Sequence, residues 1–184
     1  NIQALTGATI TSRAVTGGIR AAAEEVGKYT AAITKSAAAA IPAKTNEVLK
    51  ELIKDAEGFG AVDGKEGWYA ALKGGRVVAY IVPAQGKGYG GVIEMLAAVA
   101  PDGKVIDFKV LRHAETTKEA ARITGFEFRS QFAGKTAGDL EVVKAPTDKN
   151  IQALTGATIT SRAMTGGIRV AVEEVVNYTA GQKK

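Results

Sequence analysis

Seven consecutive residues near the C-terminus combine small side chains with hydroxyls, a composition that suits phosphate binding. They run Thr155-Gly156-Ala157-Thr158-Ile159-Thr160-Ser161 and directly precede a predicted helix. A helix N-terminus offers unpaired backbone N–H groups and the positive end of the helix dipole, which together attract anions. Gly156 and Ala157 leave room for a ligand beside the backbone. Hydroxyls that can donate hydrogen bonds to phosphate oxygens come from Thr155, Thr160 and Ser161.

Helix capping would explain the same hydroxyls without a ligand. Either Thr160 or Ser161 can serve as the N-cap of the following helix, because Ser and Thr are preferred at that position. The segment lacks the Gly-x-x-x-x-Gly-Lys-Ser/Thr pattern of nucleoside-triphosphate loops. From these residues alone, an anion cradle of low specificity and a capped helix both stay open.

The segment occurs twice in the chain. Residues 1–31 recur at 150–180, where only five positions differ, at an offset about the size of one small domain. We therefore expect residues 1–35 to be the C-terminal piece of a preceding repeat. Residues 36–43, rich in small side chains, would be a linker, and residues 44–184 a complete domain. The alternative is one domain with an extra N-terminal helix.

Composition excludes several classes of protein. The net charge of +5 comes from basic residues scattered along the chain, without the basic and aromatic runs of nucleic-acid-binding proteins. The absence of cysteine excludes disulfides, iron–sulfur ligation and thiol catalysis within the chain. His113 is the only histidine, so no metal site with two imidazoles is expected. No apolar stretch reaches the ~20 residues of a membrane span, so we expect membrane association only through parts outside this chain.

The complete unit is predicted to have an α+β fold. A first helix is expected from a cap at Thr45 or Asn46, and its buried side would carry Val48, Leu49, Leu52 and Ile53. Two hairpins follow, each a pair of strands around a turn that contains Gly. Their strands are Gly67–Leu72 with Arg76–Val82, and Val92–Ala100 with Lys104–Leu111. Consecutive hairpins indicate an antiparallel sheet.

Helices are expected to complete the domain. Short ones are predicted at Lys118–Ile123 and Glu127–Phe132, and a long one from near Thr160 to about Ala180. Met164, Ile168, Val172 and Val175 fall on one apolar stripe of the long helix. A sheet and helices in separate blocks are typical of an α+β fold. The anion site would then lie at the N-terminus of the last long helix.

The string TGATITSRA closely resembles the flavin-attachment motif of the FMN-binding domain family. The pattern is written Asp-x-x-Ser/Thr-Gly-Ala-Thr, and its last threonine carries FMN as a phosphate ester. Well-known members are the G subunit of the Rnf electron-transport complex and the C subunit of the sodium-pumping NADH:quinone reductase. The resemblance implies covalent FMN on Thr158, with an equivalent attachment position at Thr9. It also implies cofactor contacts from Thr155, Gly156, Ala157, Thr160 and Ser161.

The resemblance covers most of residues 44–180. It includes the segments Gly88-Tyr89-Gly90-Gly91, Pro101-Asp102-Gly103-Lys104, His113-Ala114-Glu115-Thr116 and FEFRSQFAGK at 126–135. By this resemblance Glu115 and Thr116 would hydrogen-bond the flavin ring, although an ordinary polar loop is an equal alternative. The chain departs from the family where Gln152 replaces the leading aspartate that the flavin transferase reads. In the family's Glu-Thr-Pro-Gly-Leu-Gly loop, only Glu115 and Thr116 match. Trp68 and Tyr89 could stack on the flavin, but core packing is the more common role of such aromatics.

The resemblance implies an electron-transfer module that is not itself an enzyme. It would exchange electrons with redox donor and acceptor proteins or with neighbouring repeats, and any catalysis would lie in partner domains. No His–carboxylate pair is evident beside the threonine to activate it, so a separate flavin transferase is expected to form the ester. Family members work outside the cytoplasm, which gives the expected location. The alternatives are an accessory domain of a fumarate-reductase-like flavoenzyme and a structural repeat without flavin.

Overall fold

The computed structural model describes residues 41–145 and 148–182. Its helices and strands, in chain order, are α1 (Ala43–Leu52), β1 (Gly58–Ala61), β2 (Tyr69–Lys73), β3 (Arg76–Lys87), β4 (Val92–Val99), β5 (Val105–Arg112), α2 (Thr117–Ile123), α3 (Phe126–Ser130), β6 (Val142–Val143), β7 (Ile151–Gln152) and α4 (Thr158–Gly181). The predictions for the partial repeat at 1–35, for Thr9 and for most of the linker lie outside the described residues.

Five antiparallel strands form a sheet in the order β1-β2-β3-β4-β5. Gly74 and Gly75 join β2 to β3, and both have positive φ angles (57° and 70°). A tight hairpin turn requires this conformation, and glycine adopts it without steric cost. The carboxylate of Glu57 also accepts a hydrogen bond from the N–H of Gly74 at 2.9 Å. The predicted α+β fold and sheet of hairpins are confirmed.

Helix α1 covers one face of the sheet. Its predicted apolar residues Leu49, Leu52 and Ile53 are buried. They pack in one cluster with side chains of the sheet: Ala71, Ala79, Ile81, Leu96 and Ala98. The predicted cap is wrong, because the helix begins earlier and has Pro42 at its N-cap position. The N–H of Asn46 already donates to the carbonyl of Pro42 at 3.0 Å, so Thr45 and Asn46 lie inside the first turn.

Helix α4 covers the opposite face. The predicted stripe of Met164, Ile168, Val172 and Val175 is confirmed, since all four side chains are fully buried. They belong to the main core cluster, with Val82 of β3 among its other members. Near the end of α4, the ring of Tyr178 packs edge-on against Trp68 and Tyr80, with centroid distances of 5.5 Å to each. Trp68 is therefore a core residue.

The backbones of α4 and β3 touch at two glycines. A Cβ on Gly86 would lie 2.1 Å from the carbonyl oxygen of Ala163, and one on Gly167 would lie 2.4 Å from that of Gln85. Carbon and oxygen atoms that are not bonded to each other cannot approach so closely. Only glycine fits at either position, so these two residues set the distance between helix and strand.

Helix α3 and the turn after it pack against β5, the outer strand of the sheet. Phe132 stacks edge-on against Phe108 of β5 and Phe128 of α3, at centroid distances of 4.9 and 5.3 Å. Arg129 donates two hydrogen bonds to the carboxylate of Asp107, at 2.7 and 2.6 Å. Such a bidentate pair is stronger than a single contact. The predicted short helices are therefore present, and α3 is anchored to β5.

Three short strands were not predicted from the sequence. Strand β1 adds an edge to the main sheet, and β6 and β7 form a parallel pair of two residues each. Strand β7 ends at Gln152, six residues before α4 begins. This small pair therefore fixes one end of the segment that contains Thr155 to Thr158. In the described part of the chain, no helix has the length and apolar character needed to cross a membrane.

Substituting alanine at the two adjacent glycines of α4 should have opposite effects. We expect Gly167→Ala to destabilise the domain by about 1–3 kcal/mol, because the new methyl group overlaps the backbone of Gln85. Gly166→Ala is the matched control: nothing lies within 4 Å of its Cβ position, so it should stabilise the helix by about 0.5–1 kcal/mol. Urea unfolding followed by Trp68 fluorescence measures both. Equal effects of the two variants would contradict the close approach.

Candidate functional site

Thr155, Gly156, Ala157 and Thr158 form the turn between β7 and α4; this stretch is called the TGAT segment below. Gly156 has a φ of +79°, which other residues rarely adopt, and no atom lies within 4 Å of its Cβ position. Thr155 and Gly156 are exposed and Ala157 is buried. Thr158, half-buried, is the first residue of α4. The segment is therefore open to solvent on the side of Gly156.

The N-terminus of α4 has no side-chain cap. Its N-cap residue is Ala157, and no side chain makes a capping hydrogen bond to the first-turn N–H groups. Capping by Thr160 or Ser161 is wrong, because the N–H of Ser161 already donates to the carbonyl of Ala157 at 2.9 Å within the helix. The first-turn N–H groups therefore keep the character of an anion site.

The hydroxyls of Thr160 and Ser161 lie inside the domain. Ser161 is fully buried, and its hydroxyl accepts a hydrogen bond from the N–H of Leu154 at 3.1 Å. The same hydroxyl donates to the carbonyl of Ala157 at 2.9 Å. Thr160 is buried almost as deeply. Ser161 thus joins the two ends of the TGAT segment and holds its shape.

Two further residues, which the sequence did not indicate, bond the backbone of the TGAT segment and of the strand before it. Arg122 of α2 donates a hydrogen bond to the carbonyl of Thr155 at 2.7 Å. The side chain of Gln131 accepts one from the N–H of Gln152 at 2.7 Å. No local spacing connects these partners, which lie 33 and 21 residues apart in the chain. The helices α2 and α3 therefore position the TGAT segment.

A cavity of about 450 Å³ lies between α2, α3 and the residues that lead into the TGAT segment. Arg122, Gln152 and Thr155 line it, and so does Phe126, whose side chain is 82% exposed. The cavity thus offers a guanidinium, a polar side chain and an aromatic ring beside the open turn. A larger cavity of about 1030 Å³ lies near α1 and β3, but none of the predicted site residues in the described part of the chain lines it.

Glu115 is a buried carboxylate with one free oxygen. Only 7% of the residue is exposed, and its Oε1 accepts a hydrogen bond from the N–H of Gly90 at 3.0 Å. Its Oε2 is buried without a hydrogen-bond partner in the described structure. The turn between β3 and β4 needs glycine at position 90, because a Cβ on Gly90 would lie 2.2 Å from the backbone carbonyl oxygen of Ala114. A buried carboxylate oxygen without a hydrogen-bond donor is costly, so Oε2 is available to accept a hydrogen bond from a bound ligand.

Glu115 and the start of α4 meet at the same end of β3. Gly86 contacts Ala163 in the second turn of α4, and Gly88 contacts Glu115. Two residues along an extended chain span about 7 Å. The structure therefore brings Glu115 and the N-terminal turns of α4 to one end of the sheet, although 43 residues separate Glu115 from Thr158 in the sequence.

The other predicted residues lie nearby with different roles. Thr116 is the exposed N-cap residue of α2, and its hydroxyl donates to Glu119. The Nδ1 atom of His113 is buried without a hydrogen-bond partner among the described residues. Tyr89 is 75% exposed, so core packing is the wrong expectation for it. Within 41–145 and 148–182, no group of His, Asp or Glu side chains is arranged to hold a metal ion.

The fold and site together define a domain with an uncapped helix N-terminus beside a five-stranded antiparallel sheet, a class suited to a phosphate-bearing cofactor. Residues 88–173 match the family described as FMN-binding domain. The G subunit of the proton-translocating ferredoxin:NAD(+) oxidoreductase complex of Clostridium ljungdahlii is 52% identical over 138 residues, 74% of this chain and 75% of the relative. The G subunit of the ion-translocating oxidoreductase complex of Methanosarcina acetivorans is 32% identical over 140 residues, 70% and 73% of the two chains. The chain belongs to the FMN-binding domain family.

A solved structure has the same fold. NqrC of Shewanella oneidensis superimposes with a TM-score of 0.53 at 16% sequence identity. The match covers 86% of this chain and 99% of that protein. The predicted family and fold class are thus confirmed by independent comparisons of sequence and of structure.

Removing the buried hydroxyl of Ser161 should loosen the TGAT segment. We expect Ser161→Ala to cost about 1–3 kcal/mol of unfolding free energy, because the N–H of Leu154 loses its acceptor. Hydrogen exchange at the Leu154 amide should accelerate at the same time. Thr179→Ala removes an exposed hydroxyl of the same helix and should stay within about 0.5 kcal/mol of the unsubstituted protein. An unchanged exchange rate at Leu154 in Ser161→Ala would contradict the assignment.

Proposed function

We propose that the chain is an electron-transfer flavoprotein module with FMN esterified through its phosphate to the hydroxyl of Thr158. One observation carries this proposal: Thr158 is the partly exposed first residue of a long helix whose N-terminus has no side-chain cap. An ester on Thr158 puts the phosphate where the backbone N–H groups and the helix dipole favour negative charge. Membership of the FMN-binding domain family supports the choice of cofactor.

The residues around the TGAT segment fit the rest of the FMN molecule. Arg122 lines the adjacent cavity and contributes a positive charge next to a phosphate carrier. Phe126 offers an exposed aromatic face to a planar ring. The free Oε2 of Glu115 can accept a hydrogen bond from a ring N–H, which would remove the cost of leaving it unpaired. Glu115 and Thr116 are the residues that we expect to contact the flavin ring.

The flavin supplies the redox chemistry, and the protein supplies position and electrostatics. An ester bond keeps the cofactor on the protein even where the site is shallow and open to solvent, as it is beside Gly156. Such exposure suits a carrier, because donors and acceptors have to approach the ring closely. The relatives are named as subunits of oxidoreductase complexes, which supports redox proteins as the partners. Any catalysis would take place in those partners.

Three further features belong to this proposal. Residues 1–35 would end a preceding domain of the same kind, with Thr9 as a second attachment position. A separate flavin transferase would form the ester, since a threonine without a neighbouring base is a weak nucleophile. The module would work outside the cytoplasm, with any membrane attachment supplied by parts beyond this chain.

The covalent bond can be tested at Thr158. Protein made together with a flavin transferase should keep its yellow colour after denaturation and desalting. Trypsin releases the same peptide around Thr9 and Thr158, whereas cleavage at glutamate releases different ones, so mass spectrometry of the glutamate-cleaved protein should find the FMN adduct on the Thr158 peptide. We expect Thr158→Ala to remove the adduct from this peptide and Thr158→Ser to retain it, because serine keeps the hydroxyl. Thr179→Ala is the matched control, since it removes a hydroxyl at the far end of the same helix and should leave the adduct in place. A colourless, unmodified protein from its native host would overturn the proposal.

Gln152 offers a second test, because it stands where the family motif has aspartate. We expect Gln152→Asp to raise the fraction of flavinylated protein, since it restores the residue that the transferase reads. The fold should tolerate the change because it is the backbone N–H of Gln152 that bonds Gln131. Intact-mass spectrometry gives the modified fraction. Gln182→Asp, the same exchange after the end of α4, should have no effect on it.

A further inference from the structure

The chain contains two nearly identical segments that compete for the place of α4 on the sheet. Residues 9–31 repeat residues 158–180 of α4 with five changes: Val15 for Met164, Ala21 for Val170, Ala23 for Val172, Gly27 for Val176 and Lys28 for Asn177. Near-identical segments in one polypeptide tend to exchange places, which produces domain swapping and misassembly. The sheet therefore has to bind one of the two segments more tightly than the other.

The five differences fall into two groups when they are placed on α4. Met164 and Val172 are fully buried in the main core, and the copy has a smaller residue at both positions. The other three positions, those of Val170, Val176 and Asn177, lie on the exposed side of the helix. Discrimination by the buried core therefore rests on these two positions.

The volume lost at the buried positions sets the size of the effect. Valine for methionine and alanine for valine remove three heavy atoms from the core. Each buried methylene-sized group is worth roughly a factor of four in an equilibrium constant, and unfilled space adds to that. The sheet should therefore prefer α4 over the copy by roughly 50-fold or more. Val176 adds to the preference, because its Cγ2 packs against Gly103 and the copy has Gly27 in its place.

We propose that Met164 and Val172 are specificity residues that reserve this sheet for α4. They direct the near-identical segment at residues 1–31 to the sheet of a different domain of the same fold. The partner of that segment is then a sheet that has room only for the smaller side chains, valine and alanine, at the two buried positions. This sorting depends on packing alone and holds with or without a bound flavin.

The chain offers a built-in reporter for the helix that occupies the sheet. Trp68 is the only tryptophan, and its ring lies 5.5 Å from that of Tyr178 on α4. The chain has no cysteine, so a nitroxide quencher can be attached at a single introduced one. Asn177→Cys and Lys28→Cys place it at equivalent positions of α4 and of the copy. In the otherwise unsubstituted 184-residue protein, we expect the label at 177 to quench Trp68 and the label at 28 to leave it bright.

Two reciprocal pairs of substitutions then test the role of the buried volume. Met164→Val with Val172→Ala makes α4 equal to the copy at both buried positions. Val15→Met with Ala23→Val gives the copy the larger side chains that α4 has at the same positions. This pair changes no residue of the described domain, so it gives a result even if the first pair prevents folding. In either background, the label at 28 should quench Trp68 in a measurable fraction of the molecules, through exchange within one chain or between two. This fraction should stay below half, because Val176 still favours α4. Light scattering separates these routes, because exchange between chains produces dimers.

Quenching from position 28 in the unsubstituted protein, equal to that from 177, would show that the sheet does not discriminate. The proposal is also overturned if, in the protein with Val15→Met and Ala23→Val, the label at 28 leaves Trp68 unquenched while the label at 177 still quenches it. Quenching from 28 that appears only after the buried volumes are matched supports the assignment. Because no flavin is needed, failure of this test is separate from failure of the covalent FMN proposal.

Discussion

The contact between the backbones of α4 and β3 is the constraint on which the rest of the structure depends. Gly86 meets the carbonyl of Ala163, and Gly167 meets that of Gln85. Two backbones that touch cannot slide or tilt as freely as elements separated by long side chains. The position of the helix N-terminus is thereby fixed relative to the end of the sheet. The TGAT segment and the buried carboxylate of Glu115 owe their common location to this contact.

The residues that hold the loop in place are different from the residue to which the cofactor would be attached. Ser161, Arg122 and Gln131 use their hydrogen bonds on backbone groups of the loop. Thr158 sits half-buried at the start of the helix. Loops supported in this way keep their shape without help from a ligand. A modifying enzyme would therefore meet the threonine already presented on a rigid turn.

Much of the fold could be predicted because its signals are local. Apolar periodicity located α4 and its buried stripe, and glycine-containing turns located both predicted hairpins. Strand β1 was not predicted because its sequence, GFGA, is short and half glycine. Strands β6 and β7 were not predicted because they have only two residues each. The cap positions were misjudged because hydroxyl-bearing residues are preferred, not required, as caps. Here Pro42 and Ala157 occupy those positions instead.

The candidate site was predictable only in part, for a different reason. The TGAT segment is contiguous, so its composition and place before a helix were visible in the sequence. Arg122 and Gln131 reach it from other helices, and pairing over such distances leaves no periodic signal. The same holds for Gly86 and Gly167, whose importance comes from what lies opposite them in space. Resemblance to the family could name Glu115 but could not show that one of its oxygens is unpaired.

The unequal lengths of β2 and β3 have a consequence for solubility. Beyond Ile81, β3 continues to Lys87 with β4 beside it, while the described part of the chain supplies no strand on its other side. An open strand edge invites pairing with other chains and aggregation. Here Pro83 leaves this stretch of β3 without one backbone N–H, so a foreign strand would find one hydrogen-bond donor fewer. The proline thus weakens strand addition at the part of β3 that extends past β2.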